Sequence, residues 1–189
     1  MKRPRDEKRR ASNMCLLLIP WMTIWIAVAI NDTFGASAGI IAAAAVSILQ
    51  LFFRPVSYEY ISIAAVAGLS PAMLLGADAR IVLPASYAAF GLMWCASAFM
   101  KIPLTACYSA GHYGGEKAFD NLLFLRTNRI LTAAWGLLYI VTPIWTYPLL
   151  GTDLSAYTGL INSVCPILMG VFTVWFQKWY PARFAAGGS

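Results

Sequence analysis

Six apolar stretches constrain this chain more than anything else in it. Residues 14–30, 35–53, 58–76, 81–100, 130–150 and 157–177 carry no Asp, Glu, Lys or Arg between their first and last turns. A helix needs about 20 apolar residues to cross a hydrocarbon core of about 30 Å. The first stretch is short and contains Pro20; the others are long enough. With 60% hydrophobic and 12% charged residues, against about 25% charged in a soluble domain, one water-soluble core cannot hide this much apolar surface. Lipid is the expected solvent. The expected fold is all-α: a polytopic membrane protein of about six transmembrane helices arranged as three hairpins.

The placement of charge orients the chain. With the N-terminus inside and six alternating helices, the inner side holds Lys2, Arg3, Arg5, Lys8, Arg9, Arg10, Arg54, Lys101, Lys117, Arg126, Arg129, Lys178 and Arg183. The outer side holds only Arg80. Cytoplasmic loops carry the excess of Lys and Arg, so both ends are expected in the cytoplasm. Five or seven helices would put basic loops on both sides. The organisation is then a basic N-terminus (1–13), a membrane domain (14–177) interrupted by an amphipathic cytoplasmic loop (101–129), and a cytoplasmic tail (178–189). A secretory-signal reading of residues 1–38, ending in Ala36-Ser37-Ala38, competes with this. It is disfavoured because the segment is long for a signal, another apolar stretch follows at once, and cleavage would unbalance the charge count. Nucleic-acid binding is not expected, since the basic residues flank apolar runs instead of covering a polar folded face.

Small residues recur every four positions in two helices: Gly35, Gly39, Ala43 and Ser47, then Ala64, Gly68, Ala72 and Gly76. That spacing puts each set on one helical face, where backbones can approach closely. Gly35, Gly39, Gly68 and Gly76 are the expected helix-packing positions; a narrow pore lining is the alternative use. Helices returning to the inner side end in an aromatic or Met residue, a basic residue and proline, as in Phe53-Arg54-Pro55, Met100-Lys101-Ile102-Pro103 and Phe176 to Pro181. This suggests a threefold hairpin repeat, although interfaces favour the same residues without one.

Chemistry is sparse. Cys15, Cys95, Cys107 and Cys165 show no C-x-x-C spacing, so no zinc or redox site is expected. His112, with Glu116 and Asp120 nearby in the Gly-rich inner loop, is a weak catalytic or metal candidate. No catalytic residue, metal site or cofactor is assigned. Residues 115–129 read as one amphipathic helix, with Ala118, Phe119, Leu122, Leu123 and Leu125 on one side and Lys117, Asp120, Asn121 and Arg126 on another. Such a helix lies among anionic headgroups or presents its face to a cytosolic partner. Arg54, Lys101, Lys117, Arg126 and Arg129 are the candidate headgroup or partner contacts. Polar groups at depth include Thr23, Ser47, Ser70, Ser97, Thr142, Asn162 and Ser163, and Pro71, Pro143 and Pro166 lie within helices. They serve either an uncharged solute or helix packing.

An early Leu-Ile-Pro helix, the acidic turn at Asp32, the Ala-rich helix ending at Leu49-Gln50 and the Lys101-Ile-Pro103-Leu104 exit from the fourth helix form a familiar layout. An amphipathic inner loop then leads through Arg126 and Arg129 into Leu131-Thr132-Ala-Ala-Trp135. In this the chain resembles the intracellular septation protein A family of small bacterial inner-membrane proteins, from about Leu16 to Pro181. It departs from that pattern at Thr132 and at Thr142-Pro143, where the family usually has Asn. The resemblance implies a bacterial cytoplasmic-membrane protein acting in envelope maintenance or division through protein partners, without known catalysis. A non-enzymatic scaffold is therefore the expected function. A small transporter or channel for a neutral solute, acting as a homo-oligomer, is its rival.

Overall fold

The structure, a computed structural model, describes residues 13–28, 30–54 and 56–186. The basic residues expected at the N-terminus, Pro55 of the proposed repeat and the last three residues of the tail lie outside them. The described residues form seven α-helices: α1 (Met14–Ala27), α2 (Asp32–Leu49), α3 (Ser57–Leu74), α4 (Ala79–Ala98), α5 (Leu104–Ser109), α6 (Leu122–Leu149) and α7 (Thr158–Ala186). Short 3-10 turns occupy Ala110–Tyr113, Gly115–Asp120 and Ser155–Tyr157.

Local chemistry sets the helix ends. Asn13 Oδ1 accepts the Cys15 amide at 2.9 Å to open α1, and Asn31 Oδ1 accepts the Phe34 amide at 3.1 Å to open α2. Asp78 Oδ1 takes the Arg80 amide at 2.8 Å at the start of α4. Each satisfies an amide that has no partner in the first turn. At the end of α3, Ala77 N donates to Ala72 O at 3.0 Å and Gly76 N to Met73 O at 3.1 Å, with Gly76 at φ +94°. That is a Schellman stop, and it needs a residue without Cβ at the left-handed position.

Among the described residues, four helical segments are long and apolar enough to cross a membrane: Asp32–Leu49, Ala79–Ala98, Leu122–Leu149 and Ser155–Phe184. They are compatible with a multi-pass integral membrane protein. The other two expected crossings fall short for different reasons. α1 is apolar but has only 14 residues, about 21 Å at 1.5 Å per residue. α3 has 18 residues, but its first turn carries Tyr58, Glu59 and Tyr60, and Ser62 and Ser70 follow. The tail expected from 178 onwards continues α7 through Ala186.

The chain divides into two compact units. The first comprises residues up to Ser86 together with Tyr147–Gly159; the second comprises Tyr87–Thr146 and the residues from Leu160 on. In the first unit α1, α2 and α3 pack on one another around Leu17, Trp21, Ile24, Val46 and Val66, all buried. Ser62 Oγ donates to the Leu17 carbonyl at 2.9 Å, tying α3 to α1. Trp25 Nε1 donates to Ser86 Oγ at 2.8 Å, and Ser86 Oγ in turn donates to Leu83 O at 2.6 Å. Glu59 is 0% exposed; its Oε2 accepts Gln50 Nε2 at 3.2 Å and the Val56 amide at 3.5 Å. The carboxylate thus joins the end of α2 to the start of α3.

In the second unit an aromatic cluster forms the core. Phe90 meets Tyr139 edge-on with centroids 4.8 Å apart, Trp94 lies 5.7 Å from Trp135, and Trp135 stacks on Tyr139 at 5.9 Å. These separations are those at which ring pairs attract. α4 and α6 cross at two facing glycines. A Cβ on Gly91 would lie 2.7 Å from Ile140 N, and one on Gly136 would lie 2.7 Å from Cys95 N. Asn162 of α7 accepts Trp145 Nε1 at 2.8 Å and donates Nδ2 to Thr146 Oγ1 at 3.0 Å.

Candidate functional site

The inner loop is the part of the second unit where the sequence concentrates candidate residues, and its architecture differs from the expected single amphipathic helix over 115–129. Gly114 and Gly115 take φ +91° and +72°, which stops any helix arriving from α5. Residues Gly115–Asp120 make one 3-10 stretch. Asn121 then turns extended, and its Oδ1 accepts the amides of Leu123 at 2.9 Å and Phe124 at 3.1 Å. That cap starts α6, so residues 122–129 are the first two turns of a 28-residue helix. The apolar residues do not share one face: Leu122 is 82% exposed, whereas Ala118 and Phe124 are buried together with Ala106 and Ala110.

A buried hydrogen-bond clamp holds α5 to α6. Thr105 Oγ1 donates to the Asn128 carbonyl at 2.7 Å, so Thr132 Oγ1, 2.8 Å away, is the donor to Thr105. Thr132 Oγ1 also accepts the Thr105 amide at 3.2 Å, one of the amides the first turn of α5 leaves unpaired. Ser109 Oγ lies 2.9 Å from the Thr105 carbonyl and 3.0 Å from Asn128 Oδ1, and Asn128 Nδ2 donates to Phe124 O at 2.9 Å. Every side chain of the clamp has a partner, which is the condition under which a buried polar network rigidifies a structure.

The expected basic contacts have different fates. Arg129 is exposed but engaged by the chain: Nε donates to Ala98 O at 2.9 Å and Nη2 to Met100 O at 3.1 Å. It therefore caps the C-terminal carbonyls of α4, where a cation also meets the negative end of the helix dipole. Arg126 is exposed, with its guanidinium 5.0 Å from the Phe184 ring centroid. Lys101 and Lys117 are exposed. Arg54 is exposed and belongs to the first unit. His112 and Glu116 sit on exposed parts of the two 3-10 turns.

The expected packing glycines also divide. A Cβ on Gly35 would press into Val28, 2.7 Å from its backbone nitrogen, and one on Gly39 would strike Ser70 Oγ. Gly68 and Gly76 have nothing within 4 Å of a Cβ. The expectation that Gly68 sits at a tight contact is corrected by this open space, and Gly76 serves the Schellman turn. Gly91 and Gly136, at which α4 and α6 meet backbone to backbone, were not singled out from the sequence. The available signal was Thr132 and Gly136 four residues apart on α6. Thr105, Ser109 and Asn128 gave no signal, because their partners lie 19 to 27 residues away.

Among the described residues, no group of three or more His, Cys, Asp or Glu could hold a metal ion. None of the four cysteines is joined in a disulfide among the described residues. Comparison with known proteins finds no matching family model, no matching curated protein and no matching solved structure.

Proposed function

We propose that the chain crosses the bilayer six times with both ends on its basic side, and that it acts as a non-enzymatic scaffold in cell-envelope biogenesis or division. In this reading the membrane is the bacterial cytoplasmic membrane, and the inner loop holds anionic headgroups or an envelope protein. The observation that carries the reading is the platform made by α5, the two 3-10 turns and the start of α6. Its interior is consumed by the Thr105–Asn128–Thr132 clamp, while Lys101, Lys117 and Arg126 stay exposed on its surface. A rigid basic surface beside a long apolar helix is the arrangement that docks to anionic lipid. The likeness to the septation protein A family supports the envelope role, and the thirteen-to-one charge count supports the topology. α1 and α3 would then cross with help from their neighbours, α1 by local thinning or flanking residues and α3 with Glu59 neutralised or bonded near one interface.

The rival, transport of a neutral solute, draws on the buried groups of Thr142, Thr146 and Asn162 and the half-buried Trp145 in the second unit. Those groups bond one another, so a solute would have to replace hydrogen bonds already made. The scaffold reading needs no such exchange.

Amide exchange tests it in protein reconstituted into liposomes. Residues 110–120 should be better protected in anionic than in neutral lipid. The triple variant Lys101→Gln, Lys117→Gln, Arg126→Gln should lose the difference, since each basic residue near such a surface contributes about 1 kcal/mol. Arg129 is left in place because it caps α4. Equal protection in both lipids would remove the headgroup role, and saturable uptake of a neutral solute by proteoliposomes would favour the rival.

A further inference from the structure

Two columns of rings run along the second half of α7, and each ends at an arginine. In one, Phe172, Phe176, Tyr180 and Phe184 follow at four-residue spacing with centroids 5.3, 5.0 and 5.0 Å apart. The Arg126 guanidinium of α6 lies 5.0 Å from the last ring. In the other, Trp175 and Trp179 stack at 5.0 Å, and the Arg183 guanidinium lies 5.4 Å from Trp179. The columns touch, since the Phe176 ring lies 6.4 Å from Trp175 and 6.1 Å from Trp179. Both cations are within the 6 Å at which a ring face attracts a guanidinium. The rings therefore hold two arginines at the same end of one helix.

Positive charge collects at this end without a counter-charge. Neither α6 nor α7 contains an Asp or Glu. Arg126 and Arg183 are exposed, and neither forms an ion pair among the described residues. Lys178 is exposed on the same stretch of α7. The rings beside the arginines are open too: Trp175, Trp179 and Phe184 are 50%, 39% and 47% exposed. Of the four segments long and apolar enough to cross a membrane, Ser155–Phe184 keeps the smallest share of its apolar window buried, 11% against 33% or more. α7 has 29 residues, about 43 Å at 1.5 Å each, against a hydrocarbon core of about 30 Å. One end must therefore reach headgroup level, where Trp and Tyr collect.

We propose that this end of α7, with Arg126, binds an anionic phospholipid. The phosphate bonds the Arg126 and Arg183 guanidiniums, and an acyl chain lies along Trp175 and Trp179. A guanidinium presents paired N–H donors that match phosphate oxygens, and the ring beneath each one orients it in advance. A head with no cation of its own fits best, because a choline group would add another positive charge beside two guanidiniums. The apolar column leading away from the arginines selects a lipid over free phosphate, which could use only the charged end. The site rests on the reading in which α7 crosses the membrane. It shares Arg126 with the platform, so Lys101 and Lys117 serve as the control.

Full-length protein in mild detergent is titrated with phosphatidylglycerol or phosphatidylcholine, and bound lipid is counted by native mass spectrometry. Wild type should retain phosphatidylglycerol in preference to phosphatidylcholine. The double variant Arg126→Gln, Arg183→Gln should bind phosphatidylglycerol about tenfold or more weakly. Its Tm without added lipid should stay near wild type, since both side chains are exposed; that separates lost binding from lost folding. Arg183→Gln alone, at a position that touches only Trp179, should weaken binding in the same direction. Lys101→Gln with Lys117→Gln should bind like wild type. Binding that persists where residues 110–120 are equally protected in anionic and neutral liposomes supports this site while removing the platform's headgroup role. The proposal fails if the two lipids are retained equally or if both arginine variants bind like wild type. It also fails if only the lysine variant loses the lipid, which would return the headgroup to the platform. Loss of a dimer mass in the arginine variant, with lipid count unchanged, would assign this face to a second copy of the chain and overturn the lipid site.

Discussion

At the scale of single residues, what surrounds a glycine decides its role, and spacing alone does not report its surroundings. Gly39 and Gly68 sit in similar small-residue rows, yet a Cβ would strike Ser70 at the first and open space at the second. Gly91 and Gly136 face backbone atoms of the opposing helix, which cannot rotate away as a side chain can. Gly136→Leu should therefore sharply lower the folded yield in membranes, because overpacking costs about 1–3 kcal/mol even where side chains adapt. Gly68→Leu should leave the yield near wild type. Size-exclusion profiles of the two variants in mild detergent check this; an equal loss at Gly68 would mean that it meets another molecule, and no loss at Gly136 would overturn the close α4–α6 crossing. The row of small residues on α3 was legible in the sequence, but not whether a neighbour occupies it.

At the scale of elements, the inner platform depends on hydrogen bonds between α5 and α6. Replacing Thr105 by Val leaves the Asn128 carbonyl and the Thr132 hydroxyl short of a partner. Leaving a buried polar group unmet costs about 1–3 kcal/mol. Amide exchange across 104–113 should accelerate in Thr105→Val, with little change in residues 130–149. Adding Thr132→Val should cost less than the sum of the two single changes, since groups in one network couple. Exchange that is unaltered by either change would show that the apolar cluster of Ala106, Ala110, Ala118 and Phe124 holds the platform unaided. The amphipathic pattern over 115–129 concealed this element because Asn121 caps a helix in the middle of it. Asn in a polar loop and Asn capping a helix look alike until the backbone around it is known.

At the scale of the whole molecule, the topology is the property on which the functional reading depends. A reporter active only outside the cytoplasm should be silent after Ser189 and active after Asp153. Thirteen basic residues on one side against one on the other motivate this. Activity after Ser189 would sink the six-crossing arrangement and with it the cytoplasmic platform. Because α1 is short and α3 is polar at its start, an arrangement with four crossings, one for each of the four helical segments that are long and apolar enough, gives the same result for both fusions. A third fusion, after Asp32, separates the two arrangements: it is active only if α1 crosses.

The sequence alone determined the all-helical character, the apolar stretches and the asymmetry of charge. These follow from composition and period, which each segment carries by itself. Tertiary structure alone decided which groups are spent. It drew Arg129 onto the end of α4, buried Glu59 against Gln50 and brought Gly91 to Gly136. Hydrogen bonds and close contacts are short-range, so they depend on which residues packing brings within a few ångströms, and distance along the chain does not record that.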